Sequence, residues 1–316
     1  MVEKPIPIRR ALLSVSDKRD LDVLARGLAE FRIEILSSGG TAKFLREKKI
    51  PVTEISEYTG ASEMLDGRVK TLHPKIHGGI LAIRDNPRHV EDLRTREYLP
   101  IDLVVVNLYP FEKAATAPDK NPEEVIEEID VGGPTLLRAA AKNYRFVVPI
   151  TDPRQYEVFL EELRSHSGGT TLLFRKAMAA QVFERMAAYE TAIAKYFQGP
   201  DELPARFPLA LEEKWELRYG ENPHQKAKFY LPAIRQGKTV LERVLQGKAL
   251  SYNNLMDVNS AIDLISEFRD GFAEVVVVIT RHLLEFRFDN RRLDHADANF
   301  VLADFAAKSF SHGGDG

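Results

Sequence analysis

The sequence predicts an α/β fold with a parallel, doubly wound sheet in the first 150 residues. Short apolar runs alternate there with segments whose apolar residues recur at helical spacing. One run, residues 101–106 (IDLVVV), is mainly apolar, which is typical of a strand buried on both faces. Strands that alternate with helices form parallel sheets, because each connection crosses a face of the sheet.

Each element follows from the same periodicity. The apolar runs predict strands at residues 10–15, 33–36, 52–55, 101–106 and 146–150. Apolar residues at Leu21, Leu24, Leu28 and Phe31 define the first helix. Further helices are predicted after Thr41 and at residues 87–98, 123–129 and 135–142, with a break between the last two at residues 130–134 (DVGGP).

The length of 316 residues predicts more than one domain. We assign residues 1–150 to the sheet domain and 151–199 to a helical extension, whose second helix carries a packing stripe at Phe174, Met178, Val182, Met186 and Tyr189. Residues 200–316 are expected to begin a second, incomplete α/β domain. This range opens with a Pro-rich linker, and a helix at 258–268 and a buried strand at 274–279 are predicted after it.

Composition excludes several classes of protein. With 44% hydrophobic and 29% charged residues the chain has an ordinary globular composition. A net charge of -3 argues against a broad nucleic-acid-binding face, and the absence of cysteine excludes disulfides and thiolate catalysis. No apolar run is long enough to span a bilayer. We therefore expect a cytoplasmic protein with neither nucleic-acid nor membrane partners.

The richest stretch is residues 67–81 (GRVKTLHPKIHGGIL). It places two cations, a hydroxyl and an imidazole close together at Arg68, Lys70, Thr71 and His73. Such a set is typical of an anion site with a proton donor beside it. A solvated basic turn is the alternative.

Two turns at strand ends carry complementary groups. The first offers hydroxyls and an ammonium at Ser14, Ser16 and Lys18, and the second offers hydroxyls and glycine backbone at Ser38, Gly39, Gly40 and Thr41. Each alone could be an ordinary helix cap. Since both follow successive strands of one sheet, they predict a phosphate site at its carboxyl edge. Neither matches the Walker or dinucleotide pattern.

Four more residues are candidates for proton transfer and orientation. Asn107 and Tyr109 follow the buried strand, Asp130 precedes Gly132, and Lys142 ends a predicted helix. Capping and helix-dipole interactions are the structural alternatives for Asn107, Asp130 and Lys142. Their joint placement at one sheet edge favours a site.

His73 and His77 have a spacing that two metal ligands on a helix can use. Pro74 and the following glycines are expected to interrupt any helix there, and no third ligand is nearby. We therefore predict no metal site, assign His73 to the ligand crevice and regard His77 as structural.

Five motifs in order carry a family resemblance: SVSDK, SSGGTAK, GRVKTLHPKIHGGIL, NLYPF and DVGGPTLLRAAAKN. They resemble the N-terminal half of the bifunctional purine-biosynthesis enzymes that couple aminoimidazole carboxamide ribonucleotide (AICAR) formyltransferase with inosine monophosphate (IMP) cyclohydrolase. The likeness spans residues 9–199 and continues through 218–225 and 245–261. It implies a methylglyoxal-synthase-like fold for the sheet domain.

The resemblance also implies a reaction, the closure of formyl-AICAR to IMP with loss of water, which needs neither metal nor cofactor. It implies a 5'-phosphate site made of Ser14, Ser16, Lys18, Ser38, Gly39, Gly40, Thr41, Arg68 and Thr71. Lys70 and Tyr109 would then act on the formyl oxygen. Asp130 and Lys142 would act on the carboxamide and Asn107 would orient the base, while His73 and Gly132 complete the substrate-binding set.

The sequence departs from the family after Ile279. Arg281-His282 stands where a lysine-histidine pair is expected, and the asparagine, proline and cysteine that should follow are missing. A guanidinium surrenders a proton poorly, so His282 is treated as a remnant and formyl transfer is not expected. 10-Formyltetrahydrofolate would be a cofactor only if that half were functional. A frame change or truncation from residue 280 is our hypothesis for the tail.

Two other functions remain open. A non-catalytic module that senses a phosphate ligand would need the two turns but not Lys70, Tyr109, Asp130 and Lys142. A methylglyoxal-synthase-like lyase would share the scaffold but not the segment 218–225. The sequence does not determine the oligomeric state, for which a homodimer is considered.

Overall fold

The computed structural model describes residues 4–109, 111–115, 117, 120–198, 210–232, 248–267, 274–279, 282–287 and 299–303. The chain divides into two compact units, Met1–Pro208 and Leu209–Gly316. None of the described helices is both long and apolar enough to cross a membrane.

The first unit begins with alternating strands and helices: β1 (Ile6–Pro7), β2 (Arg10–Val15), α1 (Leu21–Glu30), β3 (Glu34–Ser37), α2 (Gly39–Glu47), β4 (Thr53–Glu54), α3 (Ile55–Thr59), α4 (Pro74–Leu81), α5 (Pro87–Thr95) and β5 (Leu103–Asn107). It continues with α6 (Phe111–Ala115), α7 (Pro122–Glu127), α8 (Gly132–Lys142), β6 (Val148–Ile150), a 3₁₀ turn (Pro153–Gln155), α9 (Tyr156–Ser165), β7 (Gly169–Thr170) and α10 (Leu172–Gln198).

Five strands form a parallel sheet in the order β4-β3-β2-β5-β6. From β2 the chain forms β3 and then β4 at one edge of the sheet, and it returns to the other side of β2 as β5. Between β2 and β5 the order therefore reverses, which in such sheets opens a crevice at the carboxyl ends of the strands. The register aligns Val15 with Asn107 and Leu13 with Ser37, so the turns that follow these strands lie side by side. The predicted fold class is confirmed.

Both faces of the sheet are covered. Successive strand residues point to opposite faces, and on one side Leu13 and Val105 join a core with Leu24 of α1 and Phe159 of α9. The alternate residues, including Leu12, are also fully buried. Helices α4, α8 and α10 pack against one another in the same unit. The sheet is therefore a rigid platform for the turns at its edge.

Two helices differ from the sequence predictions. Helix α4 runs through Gly78 and Gly79 and is not interrupted by them. A Cβ at Gly79 would lie 2.6 Å from the Leu99 carbonyl oxygen, so the close packing at this position requires a glycine. Helix α8 begins at Gly132 rather than at Thr135. Pro134 is tolerated because the first turn of a helix needs no intrahelical N–H donor.

The second unit contains an antiparallel pair, β8 (Leu211–Leu217) with β9 (Ala227–Pro232), and helix α11 (Tyr252–Glu267). The strands β10 (Glu274–Ile279), β11 (His282–Arg287) and β12 (Asn299–Ala303) form an antiparallel sheet. The predicted strand 274–279 is β10. Helix α11 starts at Tyr252, earlier than predicted, and the linker residues 200–209 and Phe268 lie outside the described part of the chain.

Candidate active site

A cavity of about 740 Å³ opens at the carboxyl ends of β2, β3 and β5. Fourteen of the predicted site residues line this cavity: Ser14, Ser16, Lys18, Ser38, Gly39, Gly40, Thr41, Arg68, Lys70, Thr71, Asn107, Tyr109, Asp130 and Gly132. Stretches separated by more than a hundred residues of sequence therefore share one surface.

The anion end of the cavity lies at the N-terminus of α2. A Cβ placed on Gly39 would lie 3.6 Å from Lys70 Nζ, and one on Gly40 would lie 3.8 Å from Lys18 Nζ. The two ammonium groups thus approach neighbouring residues of the same glycine turn. The helix N-terminus adds a partial positive charge, so this corner is suited to a phosphate group.

Asn107 shapes the first anion turn. Its Oδ1 accepts hydrogen bonds from the backbone N–H of Ser16 at 2.7 Å and of Asp17 at 2.8 Å, and from Ser16 Oγ at 2.9 Å. Its Nδ2 donates to the Asp17 carbonyl at 3.0 Å. The amide predicted to orient a base is therefore engaged in holding the turn that carries Lys18.

Thr41 is 4% exposed and ties α2 to β2. Its Oγ1 accepts from the Val15 N–H at 3.1 Å and donates to the Val15 carbonyl at 3.0 Å. The hydroxyl is thus used within the protein, and Thr41 contributes to the cavity through its place in the first turn of α2.

The loop before α4 carries Arg68 and Lys70. Three successive residues, Leu65, Asp66 and Gly67, have positive φ, and Met64 pairs with Val69 across the turn. Lys70 Nζ lies 3.2 Å from Glu63 Oε2, and Arg68 pairs with Glu127 of α7. These carboxylates hold the two cations at the cavity wall.

Asp130 lies where α8 begins. Its Oδ1 accepts a hydrogen bond from the Gly133 N–H at 2.8 Å, and its own N–H donates to the Tyr189 hydroxyl at 2.8 Å. Burial raises the pKa of the Asp130 carboxyl, while the N–H groups of Gly133 and Gly132 oppose that rise. A carboxyl in such surroundings takes up and releases a proton nearer neutral pH than an exposed one.

Tyr109 follows β5 and is 45% exposed at the cavity wall. Its carbonyl accepts a hydrogen bond from the Phe111 N–H at 2.8 Å, which fixes the backbone behind the phenol. The phenol and the Asp130 carboxyl thus line the same cavity as the two lysines. The arrangement places proton donors and acceptors beside the corner that is suited to an anion.

Two predicted site residues of the first unit, His73 and Lys142, do not line the cavity. His73 caps α4, and its Nδ1 accepts from the Lys75 N–H at 3.1 Å. Lys142 is the last residue of α8, about 15 Å along the helix from Gly132 at 1.5 Å per residue. His282 begins β11 in the second unit, where the structure describes the backbone alone.

Several lining residues were missed from the sequence: Asp66, Ile126, Glu127, Glu128 and Val131. In the sequence, the carboxylates of Glu127 and Glu128 at the end of α7 are typical of a solvated helix surface. No sequence signal separates them from other charged helix residues. Within the described residues, no group of three or more His, Asp or Glu side chains is arranged to hold a metal ion.

The fold and the cavity define an α/β domain with a cavity suited to an anionic ligand at the switch point of a parallel sheet. Residues 20–135 match the family model of the MGS-like domain, and residues 140–284 match that of the AICARFT/IMPCHase bienzyme. The methylglyoxal-synthase-like fold expected from the motifs is confirmed.

The chain belongs to the PurH family of enzymes. It is 52% identical over 279 residues to the bifunctional purine biosynthesis protein PurH of Rhodospirillum rubrum, covering 88% of this chain and 52% of that protein. It is also 52% identical over 282 residues to PurH of Thermosynechococcus vestitus, covering 87% and 54%. The chain thus spans about half the length of the curated relatives it matches.

A solved structure, the crystal structure of ForH, is similar to part of the chain. It has a TM-score of 0.56 and 35% sequence identity, covering 60% of this chain and 96% of that one. The family resemblance drawn from the five motifs is confirmed by the family models and by the curated relatives.

Proposed function

We propose that the first unit is an IMP cyclohydrolase that closes the ring of formyl-AICAR to form IMP with loss of water. The observation that carries the proposal is the convergence of both anion turns with Lys70, Tyr109 and Asp130 on one cavity. The membership of the PurH family supports the same reaction.

The 5'-phosphate is assigned to the corner between the α2 N-terminus and the ammonium group of Lys18. Backbone N–H groups and lysines are typical phosphate ligands, and the glycines allow the ligand to approach the main chain. Thr71 lies beside the N-terminus of α8, since a Cβ on Gly132 would be 3.0 Å from its Oγ1. The second helix N-terminus therefore faces the same space.

In the reaction, the carboxamide nitrogen attacks the formyl carbon and forms a C–N bond. The carboxamide nitrogen loses one proton and the formyl oxygen becomes a hydroxyl. Cleavage of that C–O bond, with loss of the proton on the former formamide nitrogen, then forms a C=N bond and releases water. We propose that Asp130 accepts the proton from the carboxamide nitrogen, since the raised pKa of its carboxyl suits a group that accepts and donates protons. Tyr109 and Lys70 would donate to the developing oxyanion.

Positioning supplies much of the rate, because both reacting arms belong to one substrate and need only be held in contact. We propose that no cofactor takes part in this step. Lys142 lies outside the cavity of the single chain, so the assignment uses Asp130 alone at the carboxamide.

Formyl transfer to AICAR is not proposed for this chain, and neither is a requirement for 10-formyltetrahydrofolate. The reason is the sequence TRHLLEFRFDN at 280–290, which departs from the expected motif. Cytoplasmic location, small-molecule nucleotide partners and a homodimeric state belong to the same proposal. Cell fractionation and sedimentation velocity of the full chain test the first and last of these.

The decisive experiment incubates the purified 316-residue chain with formyl-AICAR and follows IMP formation by absorbance. A parallel reaction contains AICAR and 10-formyltetrahydrofolate. We expect IMP in the first reaction only. Tight IMP binding without turnover would support a ligand-sensing module, and release of inorganic phosphate from a phosphorylated ketose would support a lyase.

A further inference from the structure

We propose that Tyr189 of α10 is a positioning residue for Asp130, so that the helical extension takes part in the active site. The proposal rests on the proposed cyclohydrolase function and deepens it. Tyr189 lies beyond the residues 20–135 that match the MGS-like family model, and it does not line the cavity.

The contact between the two residues is direct and partly buried. The Tyr189 hydroxyl accepts a hydrogen bond from the Asp130 N–H at 2.8 Å, although the residues are 59 positions apart. Asp130 Oδ1 is held in turn by the Gly133 N–H. The residue is therefore fixed twice, through its main chain by α10 and through its side chain by α8.

The Tyr189 ring is itself immobilised. It is 1% exposed and packs edge-to-face on Phe111, with 6.3 Å between ring centroids. The Arg185 guanidinium lies 5.8 Å from the centroid of the same ring and also pairs with Glu112 of α6 at 2.8 Å. A hydroxyl on so constrained a ring has little freedom to release the Asp130 N–H.

The contact between Tyr189 and Phe111 also connects α10 to the segment that carries Tyr109, the other predicted proton donor. Phe111 follows Tyr109 closely, and its N–H donates to the Tyr109 carbonyl at 2.8 Å. Helix α10 therefore contacts both short segments that carry Tyr109 and Asp130. A sheet domain without α10 would leave the Asp130 N–H and the Phe111 ring without these partners.

Tyr189 does not transfer the proton itself. Burial raises the pKa of its hydroxyl to about 12, so the group stays neutral across the physiological range. Its contribution is geometric: it sets where the Asp130 carboxyl lies relative to the bound substrate.

The test compares Tyr189→Phe with Tyr196→Phe in the full chain. Both changes remove one hydroxyl from α10 and both rings pack on Phe111, but within the described residues only the Tyr189 hydroxyl bonds to Asp130. We expect Tyr189→Phe to lower kcat about tenfold. KM, IMP affinity and thermal midpoint should stay close to those of Tyr196→Phe.

Hydrogen exchange of the Asp130 amide gives a readout that does not depend on turnover. We expect faster exchange in Tyr189→Phe and wild-type exchange in Tyr196→Phe. An unchanged kcat, or a parallel fall of kcat, substrate affinity and thermal midpoint, would overturn the positioning role. If the wild-type chain itself forms no IMP, the proposed function fails, and the exchange experiment still reports on the contact.

Discussion

Arg68 and Glu127 form an ion pair between the loop that precedes α4 and the end of α7, and both residues line the cavity. Arg68 Nη2 contacts Glu127 Oε1, and Arg68 Nε donates to Oε2 at 3.3 Å. A guanidinium in such a fork has its donors directed at a carboxylate rather than at a ligand. Phosphate and Glu127 are therefore competitors for the same cation.

Replacing Glu127 by Gln should tighten binding of IMP. Both side chains are more than half exposed, so the ion pair is weak, and we expect an improvement of about two- to fivefold in Kd. Calorimetric titration with IMP measures it. Glu123→Gln, which removes the same charge from the same helix away from the cavity, is the control. Weaker binding in Glu127→Gln than in the control would contradict the competition.

Tyr109→Phe should reduce turnover far more than it reduces binding. The change removes only the hydroxyl from a half-exposed ring at the cavity wall, so the pocket keeps its shape. We expect kcat to fall about a hundredfold, the range for loss of one proton-transfer group. The Kd of IMP should change little. Lys70→Ala should likewise lower kcat far more than it weakens IMP binding. Normal turnover in both variants would refute the assigned chemistry.

Gly67→Ala should impair catalysis by displacing Lys70. A Cβ on Gly67 would lie 2.6 Å from Lys70 Cε and 2.9 Å from Lys70 Nζ. Gly60 is the matched control, because it also has positive φ but a Cβ there meets no atom within 4 Å. Both alanines should destabilise the fold to a similar extent through the left-handed backbone.

Only Gly67→Ala should then lower kcat for IMP formation. Thermal unfolding and initial rates, measured on both variants, separate the shared backbone effect from the local one. Equal loss of activity in Gly60→Ala would show that loop strain, rather than the position of the Lys70 ammonium, controls the rate.

Much of the fold was predictable because buried parallel strands leave an apolar signature. Strand β2 has the predicted bounds, β6 falls within its predicted run, and β5 extends one residue beyond its predicted run, to Asn107. The predicted break between α7 and α8 is present, but it was drawn too far into α8, since glycine and proline are unfavourable inside a helix but compatible with its first turn. Periodicity alone does not distinguish the interior of a helix from its first turn.

The site was predictable where its residues follow strands, as at Lys18 and Asn107. The roles within it were less predictable, because hydrogen-bond partners depend on distant residues. Asn107 binds the backbone of the Ser16 turn, and the stripe residue Tyr189 both packs and binds Asp130. Neither partnership leaves a sequence pattern, since both join residues far apart in the chain.

Asp130→Asn should abolish most turnover and yet stabilise the protein at neutral pH. Burial raises the pKa of Asp130 above its ordinary value of 3.8, so the folded chain binds a proton more readily than the unfolded chain. Stability therefore falls as pH rises from about 3.8 through the raised pKa, because the carboxylate must then be buried in charged form. An asparagine has no such cost, and its oxygen still accepts from the Gly133 N–H.

The thermal midpoint of Asp130→Asn should exceed that of the wild-type chain at pH 7, and the difference should close as the pH is lowered below 3.8, where the wild-type carboxyl is protonated in both states. Asp66→Asn, at an exposed position of the same cavity, should show no such gain. Wild-type activity should fall at acid pH as Asp130 is protonated. A lower midpoint for Asp130→Asn at pH 7 would mean that the carboxylate stabilises the fold, and the assignment of Asp130 as a proton acceptor tuned by burial would fail.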